Sequence, residues 1–255
     1  MQPRLIFLLG GSDLEMLTIM HILDECMISY VNRHLRWNDA VLSHYEEEIA
    51  LYGGDMQYII YGVELQEDIP VPSNYIRIDH HNDFNDKPSS LEQVAAILHY
   101  TLNRYQCLVA INDAAYITGL MRVGATSEEI EKIRREDRKA QGVTDIEETL
   151  AEKAINEQKK VYGTCIVVRA YSSSFSPICD RLYPYRHLLI YTDDELMYYG
   201  SNVKLLVRHY CDASQSKSFF YGGGTNGYFG CAKGVFTPEE IKQMVEQIKC
   251  MCHDI

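Results

Sequence analysis

The sequence predicts an α/β protein in which a mostly parallel sheet, flanked by helices, is joined by a helical connector to a smaller mixed α/β domain. In the first part of the chain, short apolar β-type runs alternate with helical patterns, and this alternation is typical of a parallel sheet. After a long polar helical stretch, aliphatic and aromatic runs follow one another between turn residues, which indicates a second sheet. We therefore expect a first domain over residues 1–145, a connecting helix over 146–162 and a second domain over 163–255.

Three short strands and two helical segments are expected in the first domain. The strands are predicted over residues 4–9, 58–63 and 75–78. Helical spacing of apolar residues follows Asp13, just after the first strand and its two glycines. A second helix is expected over residues 90–102, where Ser89 or Ser90 can accept a hydrogen bond from the first free amides.

The second half of the chain begins with a polar helical stretch, residues 126–158, that is interrupted at 142–144. Strands are then predicted over residues 164–170, 187–191, 195–199 and 203–210. Asp193 and Asp194 lie between two of these runs and indicate a hairpin turn. Pro238 fits the first turn of a last helix, because that position needs no amide donor.

The composition indicates an ordinary globular protein and narrows the range of its partners. Of 255 residues, 46% are apolar, and 36 acidic against 24 basic residues give a formal charge of −12. This balance argues against a protein that coats duplex DNA, which requires a broad positive field. An acidic protein can still bind phosphates through divalent cations, because the metal becomes the largest local charge. The apolar run over residues 5–9 is too short to span a bilayer, so we expect a cytoplasmic protein with no membrane partner and reduced cysteines.

The most specific local feature is the tripeptide Asp79-His80-His81, which follows the predicted strand over residues 75–78. Open α/β sheets bind their ligands at the carboxyl ends of the strands. A strand end with solvated polar residues is the simpler interpretation of these three letters. The tripeptide therefore marks a candidate site that needs further residues to define it.

Four more carboxylates follow apolar runs: Asp13, Glu15, Glu64 and Asp113. Hard divalent cations prefer such oxygen ligands, and imidazole suits Mn or Zn. Three of them have an alternative role: Asp13 can be a helix N-cap, Glu64 a surface residue, and the pair Asn112-Asp113 a turn. Their order along the chain is more informative than any one of them.

With this order of residues the sequence resembles the DHH phosphoesterase superfamily, which is named for the tripeptide found here as Asp79-His80-His81. Members have two carboxylates after the first strand, a second strand-end carboxylate, the tripeptide and a later aspartate. The resemblance implies that two divalent ions, most simply Mn²⁺ with Mg²⁺ or Co²⁺ as alternatives, are held by Asp13, Glu15, Glu64, His80 and Asp113. It also implies two catalytic roles: Asp79 orients His80, and His81 donates a proton to the phosphoryl group or leaving group.

The glycine-rich segment 221–230 resembles the phosphate-binding signature of the family's smaller C-terminal domain. Glycines also allow successive backbone amides to point at an anion, so the segment is a candidate cradle independently of any family. A flexible hairpin loop is the alternative interpretation. The expected substrate-binding residues are Gly222, Gly223, Gly224, Thr225, Asn226 and Arg208, although Arg208 can equally be a solvated charge.

These observations predict a metal-dependent phosphoesterase that hydrolyses a phosphodiester in a small nucleotide, such as a short oligonucleotide, a dinucleotide or a signalling nucleotide. The chain departs from the family at Leu9, where many members have a histidine, at Glu15 and Glu64, where aspartate is usual, and at Thr225, where a histidine often follows the glycines. A catalytically degenerate nucleotide-binding or regulatory protein of the same fold is therefore the alternative, and a purely structural interaction protein is a third. The acidic helices over 127–160 are either a homodimer interface or a solvated surface.

Overall fold

The computed structural model describes residues 3–211, 218–223 and 227–253, apart from the side chains of Asn38 and His253. The chain divides into two compact units, Met1–Gly142 and Val143–Ile255. Within the described parts of both units, no helix is long and apolar enough to cross a membrane.

The first unit contains a four-stranded sheet in which every neighbouring pair is parallel, in the order β2-β1-β3-β4. Its strands are β1 (Arg4–Leu9), β2 (Ser29–Asn32), β3 (Tyr58–Val63) and β4 (Tyr75–Ile78). Its helices are α1 (Leu14–Glu25), α2 (Glu46–Tyr52), α3 (Ser90–Ile97), α4 (Arg104–Arg122) and α5 (Ser127–Ala140). Short 3₁₀ turns lie at Trp37–Asp39, Leu42–Tyr45 and Asn82–Phe84.

The central strand β1 is apolar throughout its second half because both of its faces are covered. Phe7 and Leu9 belong to a core shared with α1, α3, α4 and α5. Ile6 and Leu8 point to the opposite face and pack in a second core with Leu42. A parallel strand buried on both sides reads as a continuous hydrophobic run, which is what the sequence shows at β1.

The second unit contains a six-stranded mixed sheet in the order β5-β6-β7-β8-β10-β9. Its strands are β5 (Lys160–Tyr162), β6 (Cys165–Arg169), β7 (His187–Tyr191), β8 (Leu196–Gly200), β9 (Phe219–Gly222) and β10 (Gly227–Cys231). Its helices are α6 (Asp145–Gln158), α7 (Ser176–Leu182), α8 (Val203–Tyr210) and α9 (Pro238–His253). β6 and β7 are parallel, and the other neighbouring pairs are antiparallel. The predicted fold class, a helix-flanked parallel sheet with a second mixed α/β sheet, is confirmed.

Most element predictions are confirmed, and three are wrong. The connecting helix expected over 146–162 ends at Gln158, and Lys160–Tyr162 form the strand β5. Residues 203–210 form the helix α8 instead of a strand: Val203 and Leu206, three residues apart, are buried, while Arg208 is exposed. The helix expected over 90–102 ends at Ile97, because His99 adopts the left-handed φ of 53° and Asn103 caps a new helix.

Candidate metal centre

The predicted carboxylates and histidines of the first unit meet at the carboxyl edge of the parallel sheet. Glu64 follows β3, and the tripeptide Asp79-His80-His81 follows β4. Because the two strands are parallel neighbours, their ends lie side by side. Glu15 enters from the first turn of α1, which follows β1. Asp113 comes from the middle of α4, so the apolar run that precedes it is helical and the asparagine–aspartate pair is not a turn.

His80 lies at the middle of this cluster. Its Nε2 atom is 2.7 Å from Asp113 Oδ2, 3.5 Å from Glu64 Oε1 and 3.6 Å from Glu15 Oε2. Ligand atoms of Glu64, His80, His81 and Asp113 all lie within 4.8 Å of one another. Burial opposes a charged imidazole, but the carboxylates around His80 raise its pKa well above the usual value.

The polar atoms of this cluster fit a cation better than they fit one another. Among the described residues, eight buried side-chain polar atoms form no hydrogen bond of good geometry, and four of them converge here: Glu15 Oε2, Glu64 Oε1, His80 Nε2 and Asp113 Oδ2. Their mutual contacts are ion pairs with His80, of which the one to Asp113 is the shortest, at 2.7 Å. Buried polar atoms without partners are costly, and clustered carboxylates repel one another. Three carboxylate oxygens and one imidazole nitrogen form a donor set suited to Mn²⁺ or a similar divalent ion.

Glu15 uses its two oxygens differently. Oε1 accepts a hydrogen bond of 3.0 Å from the amide of Leu91, in the first turn of α3, while Oε2 is the oxygen that faces His80. Burial raises the pKa of Glu15 well above its usual value, and the charges of Asp113 and Glu64 add to this effect. One oxygen therefore fixes the side chain, and the other is free to act as a ligand.

Asp13 has the helix-capping role that the sequence offered as an alternative. Its Oδ1 accepts a hydrogen bond of 2.8 Å from the amide of Met16. Burial, together with the nearby charges of Glu64 and Asp113, raises the pKa of Asp13 to about 7. Asp13 is thus electrostatically part of the cluster, although neither Asp13 nor Glu15 belongs to the group of Glu64, His80, His81 and Asp113 whose ligand atoms lie within 4.8 Å of one another.

Asp79 contacts different partners from those expected. Its Oδ2 accepts hydrogen bonds of 3.1 and 2.6 Å from the guanidinium of Arg77. Its Oδ1 accepts the backbone amide of His81 at 2.8 Å and lies 3.3 Å from Nδ1 of the same residue. No hydrogen bond joins Asp79 to His80 among the described residues, so Asp79 orients His81 and not His80. Burial opposes its ionisation, but the bonds from His81 and Arg77 hold its pKa well below the usual range.

His81 lies at the outer side of the cluster, where its side chain is 26% exposed. Its Nδ1 is 4.0 Å from Glu64 Oε1, and its ring makes a T-shaped contact with Trp37. Burial lowers the pKa of His81, whereas the bond to Asp79 and the charge of Glu64 raise it, and the net shift is upward. A histidine held in this way can donate a proton at the mouth of the site.

Three residues with left-handed backbone conformations lie at or beside the cluster. Glu64 has a φ of 53°, Asn82, next to His81, has 51°, and Tyr116, three residues after Asp113, has 53°. Such values are uncommon outside glycine and are found at sites where the surrounding structure enforces them. At Tyr116 the conformation interrupts α4, so the helix changes direction just beyond Asp113.

Sequence reasoning missed a buried charged network that supports the cluster. Arg134 donates hydrogen bonds to Asp137 at 2.7 Å and to Asn112, the neighbour of Asp113, at 3.0 Å. Asp137 accepts the amide of Leu14, in the first turn of α1, at 3.3 Å. The network therefore ties α5 to the helices that carry Glu15 and Asp113. No signal in the sequence distinguishes these two buried charges from the solvated ones along the same polar helix.

The residues expected to bind substrate belong to the second unit. Gly222 ends β9 and pairs with Tyr228 of the antiparallel strand β10, and Gly223 follows it with a φ of 79°. Arg208 is exposed near the end of α8. Gly224, Thr225 and Asn226 lie outside the described residues. The glycines that are described thus flank a connection between two paired strands.

Comparison with solved structures identifies the fold. A pGpG-specific phosphodiesterase, PggH, from Vibrio cholerae is 14% identical, with a TM-score of 0.51, and the match covers 98% of this chain and 98% of that one. The DHH domain of a protein described as a member of a family of ribosomal proteins is also 14% identical, with a TM-score of 0.54, over 99% of this chain and 87% of that one. The chain has a DHH-type fold. The resemblance deduced from the sequence is therefore confirmed at the level of the fold.

No family model and no curated protein matches the sequence. At 14% identity the likeness to the two solved structures concerns backbone arrangement alone. For this DHH-type fold, the chemistry must therefore be inferred from the side chains at the carboxyl edge of the sheet.

Proposed function

We propose that this protein is a metal-dependent phosphoesterase that hydrolyses a phosphodiester in a small nucleotide. The observation that carries the proposal is the convergence of three buried carboxylate oxygens, Glu15 Oε2, Glu64 Oε1 and Asp113 Oδ2, to within 3.6 Å of His80 Nε2. We propose that these residues, with Asp13, hold two divalent ions, most simply Mn²⁺. Divalent ions supply a nucleophilic water at neutral pH and neutralise charge on phosphoryl oxygens.

The protein's own groups would then position the substrate and move a proton. Asp79, fixed by Arg77, accepts a bond from Nδ1 of His81 and leaves the other ring nitrogen of His81 available to the substrate. His81 would donate to a phosphoryl oxygen or to the leaving group. The buried network of Arg134 and Asp137 holds α1 and α4 in place, so that Glu15 and Asp113 keep their positions.

A small nucleotide is the substrate class that the whole chain favours. The formal charge of −12 disfavours duplex nucleic acid, which depends on extensive basic surface. The similar solved structure from Vibrio cholerae is described as specific for pGpG, and this dinucleotide is therefore the first compound to test. We further propose that the glycine-rich segment around Gly222 and Gly223 contributes amides to phosphate binding.

One observation favours the alternative of a nucleotide-binding protein without turnover. Leu9, which stands where many family members have a histidine, has no exposed surface and is part of the hydrophobic core. Its side chain cannot be a metal ligand. If the missing nitrogen ligand is indispensable, the cluster binds nucleotide and metal but does not hydrolyse.

The first experiment measures the metal. Protein purified without chelator is analysed for bound Mn²⁺, and the chelated protein is titrated with Mn²⁺, Mg²⁺ and Co²⁺ by calorimetry. We expect Asp113→Asn and His80→Ala to lose binding while keeping the far-ultraviolet circular dichroism of the wild type. Glu131→Gln, which removes an exposed carboxylate from α5, serves as the control and should bind normally. Absence of binding of all three ions by the wild type would overturn the metal centre.

The second experiment measures hydrolysis. A panel of pGpG, other dinucleotides and short oligonucleotides is incubated with Mn²⁺-loaded protein, and the mononucleotide products are quantified. Mn²⁺-dependent release that is lost in His80→Ala and Asp113→Asn supports the phosphoesterase. Nucleotide binding without release under every divalent ion supports the non-hydrolytic alternative.

A further inference from the structure

The chain has a single tryptophan, and it lies at the mouth of the metal centre. Trp37 is in the 3₁₀ turn that follows β2, and its ring centroid is 4.5 Å from that of His81. Despite this contact, 58% of its surface is exposed. A large aromatic side chain that remains accessible beside buried polar groups is a feature of ligand sites more often than of protein cores.

Two hydrogen bonds made by the backbone of Gln66 fix the position of the segment that bears Trp37. Gln66 donates its amide to the carbonyl of Ala40 at 2.8 Å and accepts the amide of Leu42 at 2.8 Å, so that Val41 forms a parallel bridge with it. Gln66 follows Glu64 by two residues at the end of β3. The 3₁₀ turn is thus attached to the same strand end that supplies a carboxylate of the cluster, and Trp37 is held at a defined place.

The contact with His81 covers at most one face of the indole. The two rings meet at an interplanar angle of 75°, a T-shaped arrangement in which the edge of one ring meets the face of the other. If the indole offers its edge, His81 covers neither of its faces. If it offers a face, His81 covers only that face, and 58% of the tryptophan surface remains exposed.

We propose that Trp37 is the platform on which a base of the nucleotide substrate stacks. The inference rests on the proposed function and adds to it a binding residue and a substrate requirement, namely an aromatic base next to the phosphodiester. Every base has a π-face, so stacking tolerates different bases, and it is strongest for purines, whose ring system is larger. Because the indole contacts the ring of His81, a base stacked on it lies close enough to the cluster for the adjoining phosphate to reach it.

The test compares substrates with and without bases in Trp37 variants. The wild type, Trp37→Phe and Trp37→Ala are loaded with Mn²⁺ and assayed on a guanine dinucleotide and on the same sugar–phosphate backbone without bases. For Trp37→Ala we expect the KM for the dinucleotide to rise about tenfold, which corresponds to about 1.4 kcal/mol and is within the range for base stacking. The kcat should change less than about twofold, and Trp37→Phe should keep most of the affinity.

Two controls separate this effect from damage to the fold or the metal site. The Mn²⁺ affinity and melting temperature of each variant should equal those of the wild type. Leu51→Ala, which truncates an exposed apolar side chain of the same unit, should leave both KM values unchanged. A rise in KM of equal size for the baseless backbone, or no rise for either substrate, would overturn the proposal that Trp37 stacks a base.

The single tryptophan also provides a measurement that does not depend on turnover. The emission of Trp37 should change on addition of GMP and not on addition of ribose 5-phosphate to the Mn²⁺-loaded protein, because only the base contacts the indole. An unchanged emission with GMP contradicts the inference. If the base-dependent change is seen but the wild type hydrolyses no compound of the panel, the stacking site stands and the proposed hydrolysis fails.

Discussion

Replacement of Gly10 by alanine tests whether the candidate metal centre depends on close contact between β1 and β3. The amide of Gly10 donates to the carbonyl of Val63 at 2.9 Å. A Cβ atom at this position would lie 2.5 Å from the carbonyl oxygen of Glu64, 2.7 Å from that of Val63 and 2.7 Å from a methyl of Leu65. Carbon and oxygen atoms normally approach to about 3.3 Å, so the end of β3 must move by about 0.8 Å.

The size of the effect follows from this displacement. Overpacking of a well-filled interior costs about 1–3 kcal/mol, and about 2 kcal/mol lowers the melting temperature of a domain of this size by about 4–8 °C. The carbonyl that must move belongs to Glu64, whose side chain is part of the cluster. Loss of support around a metal ligand typically weakens metal binding about 10- to 100-fold.

Gly11→Ala is the matched control, because neither Gly10 nor Gly11 has a positive φ and the two differ in their surroundings. A Cβ at Gly11 would lie 3.3 Å from the flexible Cε of Met16 and 3.6 Å and 3.7 Å from carboxylate oxygens of Glu64 and Asp13, with no backbone in the way. Differential scanning calorimetry and Mn²⁺ titration of both variants give the two readouts. If Gly10→Ala melts and binds Mn²⁺ as Gly11→Ala does, the reasoning is refuted.

Three further predictions concern residues around the centre. Arg134→Ala leaves Asp137 buried without its cation and should lower the free energy of unfolding, measured in urea, by about 3–5 kcal/mol. The control is Lys139→Ala on the exposed side of α5, which should change this free energy by less than about 0.5 kcal/mol. Tyr45→Phe removes the hydroxyl that donates to the buried carbonyl of Leu9 and should cost about 1–2 kcal/mol in the same assay; an unchanged transition would contradict this. Asp79→Asn removes the charged acceptor of His81 and should lower kcat while the calorimetric Mn²⁺ affinity stays within about threefold; equal loss of both would contradict its assignment to His81.

The sequence predicts the carboxyl-edge site well where the residues follow strands. Glu64 and the tripeptide at Asp79 each come after a β-type run, and parallel pairing brings such ends together. Asp113 is different, because it lies in a helix and reaches the cluster only through the packing of α4 on α1 and α3. The place of Asp113 in the order of carboxylates and histidines along the chain indicates it as a site residue, whereas the local hydrophobic pattern does not.

The errors have a common physical origin in tertiary contacts that short patterns do not encode. Residues 203–210 contain enough aliphatic and aromatic residues for a strand, but burial of Val203 and Leu206 on one face selects a helix. The prediction that Asp79 orients His80 is wrong, because the tripeptide alone does not indicate which of the two histidines contacts the carboxylate. Arg77, two residues earlier, occupies the other oxygen of Asp79 and fixes its direction.

The length of the Glu15 side chain lets its carboxylate contact two elements at once. Glu15 starts from the first turn of α1 and spans to the first turn of α3, where Leu91 donates its amide to Oε1. The same carboxylate still presents Oε2 to His80 at 3.6 Å. An aspartate at this position is one methylene shorter and would carry its carboxylate closer to the backbone of α1. The Glu15 carboxylate therefore joins two helices through one oxygen and presents the other to His80.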